Sequence, residues 1–428
     1  MKSSNYNYFV ENGDKTIIFN GISEKFIEID NRNLLVYKHV ISNPDIYMPK
    51  LSSLLNKLSN GGFIIDENVD ENYEIEQKFQ MYQKNDQYFL MILPTYQCNL
   101  RCWYCIQDHK DLWMSDETSN RIKLRISKKI QDPEIKTLHI SWFGGEPLMN
   151  YPRIVELTKY AQTESIKYGK HFSCNITTNG TLLTPEKIQE LFECGVNDYQ
   201  ITIDGTKKVH DSIKQLSNES AFEKTIANVN EIIKHTHCSL RFNYTQDNLM
   251  PNEIINEINE RITPDNRNNI SLLLYKVWQE NENNIDSKDI ELMYNKGNEV
   301  GISCKLPRAG MCYADQKHFD CIFPDGSSEK CDNDSPITAK GKLTSDGEIV
   351  WAGSEPECHI SPYLIKDSEC RHCKFLPICW GPCVAKRKIM LEKKGKIICQ
   401  HSNKLSYMHN IIHNIVKNVH SDRISNLK

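Results

Sequence analysis

The sequence predicts an α/β protein: a partial (β/α)6 barrel with a winged-helix-like module before it and a cysteine-rich domain after it. Three observations carry this reading. Short alternating segments fill 1–85, six strand-then-helix units run through 86–303, and over 304–402 that rhythm gives way to cysteines and turns. An amphipathic stretch, 403–428, ends the chain.

Within the first module, Thr16–Asn20, Lys25–Asp30 and Leu34–Val40 alternate as strands do, and Lys50–Ser59 carries leucines at helical spacing. A Gly61-Gly62 turn leads into Phe63–Asp66, and the polar run Asp66–Glu76 reads as a linker. Barrel strands are expected at Tyr88–Pro94, Thr137–Phe143, Phe172–Thr177, Asp198–Ile203, Cys238–Tyr244 and Ile270–Trp278. Helices are expected from near Ser115, then at Tyr151–Tyr168, Pro185–Cys194, Ala221–His235, Asn252–Ile262 and Lys288–Val300. Such alternation implies a parallel sheet with right-handed crossovers, the framework of a TIM-like barrel, open or closed. Leu405, Met408, Ile412, Ile415 and Val419 recur as on a docking helix.

With 428 residues the chain has room for two or three domains. A formal net charge of −4, with Lys and Arg scattered, gives no electrostatic reason to expect nucleic acid or an anionic membrane as partner. No apolar run has signal-peptide or membrane-spanning character, so a cytoplasmic chain with reduced thiols is expected. There, grouped cysteines point to metal rather than to disulfides. Of the 16 cysteines, three lie at 98–105 and ten between 304 and 399. Cys174, Cys194 and Cys238 stand alone in apolar surroundings and read as core thiols.

Cys98-x-x-x-Cys102-x-x-Cys105 falls on the loop after the first barrel strand. Three thiolates can hold three corners of an iron–sulfur cube, leaving one iron with an open, reactive position. A zinc site is the alternative; it needs a fourth ligand, for which His109 could serve. Gly144-Gly145-Glu146-Pro147 follows the second strand, where two glycines permit close backbone approach and Glu146 offers an anion. Thr178-Asn179-Gly180 and Asp204-Gly205 follow the third and fourth strands, positions where ordinary turns also occur. All four motifs sit at carboxyl ends of strands, where parallel barrels place their chemistry.

Cys98, Cys102 and Cys105, with Tyr104 before the last, resemble the defining motif of the radical SAM superfamily. The resemblance implies a 4Fe–4S cluster whose open iron is chelated by S-adenosylmethionine. It also implies reductive cleavage of that cofactor to a 5′-deoxyadenosyl radical, which abstracts a substrate hydrogen. By the same resemblance Gly144, Gly145 and Glu146 would meet the methionine amino group, and Tyr104, Thr178, Asn179 and Arg241 would contact the rest of the cofactor. The family's basic residue after an HD pair is often Arg, whereas Lys214 stands in HDSIK here.

Further on, Cys312-x13-Gly326-x4-Cys331, Cys370-x2-Cys373-x5-Cys379-x3-Cys383 and Cys399 resemble a SPASM domain, a cysteine-rich iron–sulfur extension holding two auxiliary 4Fe–4S clusters. Eight thiolates would be needed and the pattern supplies seven, leaving Cys321, Cys304 or Cys358 as the eighth. Cys321 is preferred because it lies between two of the seven; a double zinc ribbon is the alternative. Asp332, directly after Cys331, is a candidate catalytic base and equally a turn residue.

Together these features resemble a maturase of a ribosomal precursor peptide that installs a thioether or carbon–carbon crosslink. In similar proteins the first module binds the leader peptide as an added strand. An anaerobic sulfatase-maturing, formylglycine-generating enzyme is the second reading, and a non-catalytic iron–sulfur or zinc binding protein the third. Reductive cleavage implies an electron donor such as a flavodoxin or ferredoxin.

Overall fold

The computed structural model describes the chain apart from residues 49, 278, 280–286, 306–309, 333–335, 354–367, 400–403 and 426–428. It divides into two compact units: 1–85 with 308–317 and 358–419, and 86–307 with 318–357 and 420–428.

In the first unit β1 (Lys2–Ser3) pairs with β5 (Ile64–Ile65), and β2 (Asn7–Asn12), β3 (Lys15–Asn20) and β4 (Phe26–Asp30) form an antiparallel sheet in that order. Leu34–Ser42, expected as a strand through Val40, is a helix. Leu34, Tyr37, Val40 and Ile41 recur at helical spacing and turn one face onto Ile18, Leu55 and Phe63, so the tertiary contact selects the 3.6-residue period over the alternating one. The expected linker Asp66–Glu76 is likewise half helix. Asp70 caps it by accepting from the amides of Asn72 and Tyr73, and Glu71–Gln83 follows with Ile75 and Phe79 buried four residues apart. Tyr8, Ile17, Phe19, Ile75 and Phe79 share one core with Leu376, Ile378, Trp380, Met408 and Ile412. Tyr8 stacks on Phe375 with ring centroids 5.4 Å apart, and the helix Lys404–Ser425 packs into the same core.

The second unit is built on β6 (Gln87–Ile92), β7 (Thr137–Trp142), β8 (His171–Thr178), β9 (Val196–Ile203), β10 (His237–Tyr244) and β11 (Ile270–Lys276), each parallel to the next. β12 (Ser303–Lys305) extends this sheet beyond β11, and β13 (Phe319–Ile322) lies parallel to β6 at the other side. β14 (Ser327–Glu329), β15 (Gly341–Leu343) and β16 (Ile349–Trp351) continue it antiparallel. The mostly parallel sheet expected from the sequence is therefore present, as an open barrel wall. Every second residue of the parallel strands, such as Leu138, Ile140 and Trp142, is buried beneath helices. Asp116–Gln131 shows the reason for its own position: Ser115 caps it and Ile122, Ile126 and Ile130 form its buried stripe. Among the described helices of this unit, Lys207–Lys214 had no sequence expectation; it turns His210 and Lys214 inward.

β13 is locked to its neighbours by charge. The Asp320 carboxylate accepts from Arg125 Nη2 at 2.9 Å, Arg125 Nε at 3.1 Å and the Tyr88 hydroxyl at 2.7 Å, while Arg125 Nη1 reaches Glu348 at 2.8 Å. Burial raises the cost of this charge, but Arg125 and the nearby lysines hold the Asp320 carboxyl down to about 2. Because both charges are buried, removing Arg125 leaves Asp320 only the weaker support of its lysines, such as Lys330 at 3.9 Å. Arg125→Met should lower the unfolding free energy by roughly 3–5 kcal/mol, read by denaturant titration, and adding Asp320→Asn should recover part of the loss.

Candidate active site

The four motifs meet at the carboxyl ends of β6 to β9. The loop after β6 is anchored by a bridge between Thr95 and Trp113. Its thiols grade from half-buried Cys98 and Cys102 to exposed Cys105. The Cys105 amide donates to the Cys102 carbonyl at 3.1 Å, and His109 Nε2 lies 3.4 Å from Cys105 Sγ. Burial pushes the Cys98 thiol up to about 11, so metal binding there must displace a proton.

What holds this loop in place is the close approach of two backbones. Gly145 N donates to Thr95 O at 3.3 Å and Glu146 N to Gln97 O at 2.8 Å. A Cβ on Gly145 would stand 2.3 Å from Gln97 O, and one on Gly144 would stand 2.5 Å from Thr95 O. The glycines thus admit the cysteine loop itself. Glu146 is buried, and its carboxylate accepts from Thr178 Oγ1 at 2.7 Å, Asn179 N at 2.8 Å and Leu148 N at 3.1 Å. Burial nevertheless dominates and raises its carboxyl above the usual range. Asn179 Nδ2 donates to Asn99 Oδ1 at 2.9 Å and lies 4.0 Å from Cys98 Sγ, which ties the third motif to the first.

The fourth motif supplies a buried polar network. Tyr104 donates to Asp204 Oδ1 at 2.6 Å and accepts from Asn243 Nδ2 at 3.2 Å and Lys214 Nζ at 3.3 Å. Asp204 is fully buried, and Lys214 lies 3.5 Å from its Oδ2. Arg241 donates through Nε to Asn243 Oδ1 at 3.0 Å and lies 4.3 Å over the Tyr275 ring. Tyr104, Glu146, Thr178, Asn179 and Arg241 are therefore brought to one end of the sheet. Asp204, marked in the sequence as a strand-end turn, and Lys214, noted after the HD pair, join them, as do Asn99 and Thr181, which the sequence had not marked. The signal for Lys214 was its spacing four after His210, visible only once that segment is seen as a helix.

Asp332 is half-buried, and its charge is felt at the Tyr96 phenol, which burial chiefly raises. In the first unit Cys379 is pushed up to about 11 by burial, with Cys370, Cys373 and Cys399 close enough to add to the shift. Cys312 amide donates to Asp315 at 3.1 Å, and Asp315 is ion-paired with the buried Arg387. Cys383 occupies the N-cap position of Val384–Lys394, without a capping hydrogen bond from its side chain. Of the candidate eighth thiols, Cys321 is fully buried on β13, beside Met91 of β6. Cys304 donates to Met293 O at 3.6 Å and packs against Gly297 as a core thiol, and Cys358 lies outside the described residues.

Among the described residues no three His, Cys, Asp or Glu side chains are drawn together closely enough to cage a single metal ion. A cubane asks less, since its thiolates are spread over separate irons. Three thiols on one short loop, at the strand ends of a parallel barrel wall and backed by a buried cation, fit such a cluster.

A domain of this build belongs to the class that pairs an iron–sulfur cluster with a bound cofactor at the mouth of a parallel α/β sheet. Residues 92–263 match the Radical SAM superfamily, so the chain carries a radical SAM domain, of a family that uses a 4Fe–4S cluster and S-adenosylmethionine. GTP 3′,8-cyclase of Clostridium perfringens (strain SM101 / Type A) is 31% identical over 153 residues, 34% of this chain and 43% of that protein. The chain thus matches less than half the length of that curated relative. Among solved structures, anSMEcpe with bound AdoMet and a peptide aligns at TM-score 0.56 and 16% identity, over 80% of this chain and 100% of that one. Streptococcus suis SuiB bound to precursor peptide SuiA aligns at TM-score 0.54 and 15% identity, over 94% and 99%. These two likenesses are of fold. No helix among the described residues is long and apolar enough to cross a membrane.

Two outcomes follow from the geometry. Gly145→Ala must part the two backbones, so it should lower both thermal stability and iron content after reconstitution, read by calorimetry and iron assay. His210 Nδ1 accepts from the Asp204 amide at 3.2 Å, and burial pushes its imidazole down to about 4 from 6.5. It stays neutral when folded but gains a proton when unfolded. Stability is therefore full above pH 6.5 and falls towards pH 4, by an amount on the order of 3 kcal/mol. Denaturant titrations at stepped pH should show this slope, and His210→Gln should flatten it.

Proposed function

We propose that the chain is a radical SAM enzyme that modifies a peptide, installing a thioether or carbon–carbon crosslink in a ribosomal precursor. The observation that carries the first half is the hydrogen-bonded convergence of the cysteine loop, Gly144–Glu146, Thr178–Asn179 and Asp204 at one end of the barrel wall. Cys98, Cys102 and Cys105 would hold the cluster. The group supplies, when bound with its cofactor, a radical able to take hydrogen from an unactivated carbon. Gly144 and Gly145 fix the loop, Glu146 braces it against Thr178 and Asn179, and Tyr104 and Arg241 line the approach.

The peptide half is supported by the first unit. There β2, β3 and β4 form a small antiparallel sheet, an architecture to which a peptide can add as a further strand. A leader peptide is the occupant we assign to it, in keeping with the fold likeness to SuiB, which was solved with a precursor peptide. Cys370, Cys373, Cys379 and Cys399 would hold one auxiliary cluster. A second auxiliary cluster would draw on the remaining cysteines of the SPASM-like pattern. These clusters would accept the electron left after hydrogen removal, and a flavodoxin or ferredoxin would supply the one that starts the reaction.

A formylglycine-generating activity is the second reading, favoured by Asp332 near Tyr96 and by the fold likeness to anSMEcpe. Anaerobically reconstituted protein given dithionite and S-adenosylmethionine should release 5′-deoxyadenosine, measured by liquid chromatography, and Cys102→Ala should abolish it. With a sulfatase-motif peptide no aldehyde should form; its appearance would replace the crosslinking assignment by the second reading.

A further inference from the structure

His109 follows Cys105 by four residues, in a stretch where 105–109 forms no helix. Helical geometry therefore does not account for its ring meeting that cysteine. The backbone at His109 has φ of +48°, in the left-handed region that is uncommon for a residue other than glycine. In that conformation Nε2 comes within 3.4 Å of Cys105 Sγ. Cys98 and Cys102 are half-buried, and Cys98 Sγ accepts from the Leu100 amide at 3.4 Å. Cys105 is the exposed thiol of the three, and the imidazole reaches its sulfur.

A thiol that binds iron has lost its proton. The Cys105 sulfur then offers only lone pairs, so a neutral imidazole at this distance donates its Nε2–H to it. His109 does not share the iron of Cys105, because each iron of a cubane already has three sulfides and one outer ligand. We propose that His109 is a positioning residue of the cluster: its Nε2–H donates to the Cys105 thiolate and thereby raises the reduction potential. The inference rests on the reading that Cys98, Cys102 and Cys105 are the cluster's ligands. Reduction adds negative charge, part of it on the sulfurs, and a donor to sulfur stabilises the reduced state more than the oxidised one. Greater access of water stabilises the reduced state as well. A variant that merely opens the loop therefore moves the midpoint positive, whereas loss of the donor moves it negative.

The test is a potentiometric titration of the full, anaerobically reconstituted chain, following the paramagnetic resonance of the cluster whose signal is lost in Cys102→Ala. His109→Phe keeps a ring and loses the donor, so its midpoint should move negative. His109→Gln carries an amide nitrogen at similar reach, and its midpoint should lie between those of His109→Phe and wild type. An unchanged or positive midpoint in His109→Phe overturns the proposal, as does a His109→Gln midpoint no nearer to wild type. A second measurement needs no variant. With histidine isotopically labelled at its ring nitrogens, electron–nuclear double resonance of the same cluster in wild type should show a weakly coupled nitrogen. No coupling overturns the proposal, and so does the strong coupling of a nitrogen bound to iron, which would make His109 a ligand. Failure of the underlying site reading looks different: wild type would then show no reducible cluster, or none whose signal Cys102→Ala removes.

Discussion

The site depends on one steric permission, the absence of a side chain at Gly144 and Gly145. Because of it the backbone of Thr95–Gln97 can lie against the loop after β7 and accept two hydrogen bonds from it. The three thiols are then held by a rigid sheet rather than by a free loop. Glu146 extends the bracing to Thr178 and Asn179, and Asn179 returns it to the cysteine loop through Asn99. A cluster at this position would meet donors already placed, which is the condition under which electrostatic and covalent chemistry is efficient.

Much of the second unit was legible in the sequence. Its parallel strands bury alternate residues under amphipathic helices, so period and length agree at each step, and boundaries differ by few residues. The four motifs could be placed on one mouth for the same reason. The roles inside the mouth were less legible. Glu146 reads as an open anion, yet its carboxylate is spent on neighbouring loops. Lys214 reads as a departure from an arginine, yet it closes a network with Asp204 and Tyr104. Such roles arise from three-dimensional pairing across strands and leave no local pattern.

The first unit shows the opposite case. Leu34–Val40 alternates well enough to pass for a strand, and only its packing on Ile18 and Phe63 makes it a helix. The segment after Asp66 is polar enough to pass for a linker, but the Asp70 cap and the spacing of Ile75 and Phe79 make it a helix that joins a core. That core contains Trp380 and Met408, distant in sequence, so no window of the early chain could contain the information.

The account stands on an iron whose open position takes S-adenosylmethionine. Paramagnetic resonance of the anaerobically reduced chain, recorded with and without that molecule, addresses this most directly. The account predicts a cubane signal whose g-values move when the cofactor is added. A signal indifferent to the cofactor would contradict it.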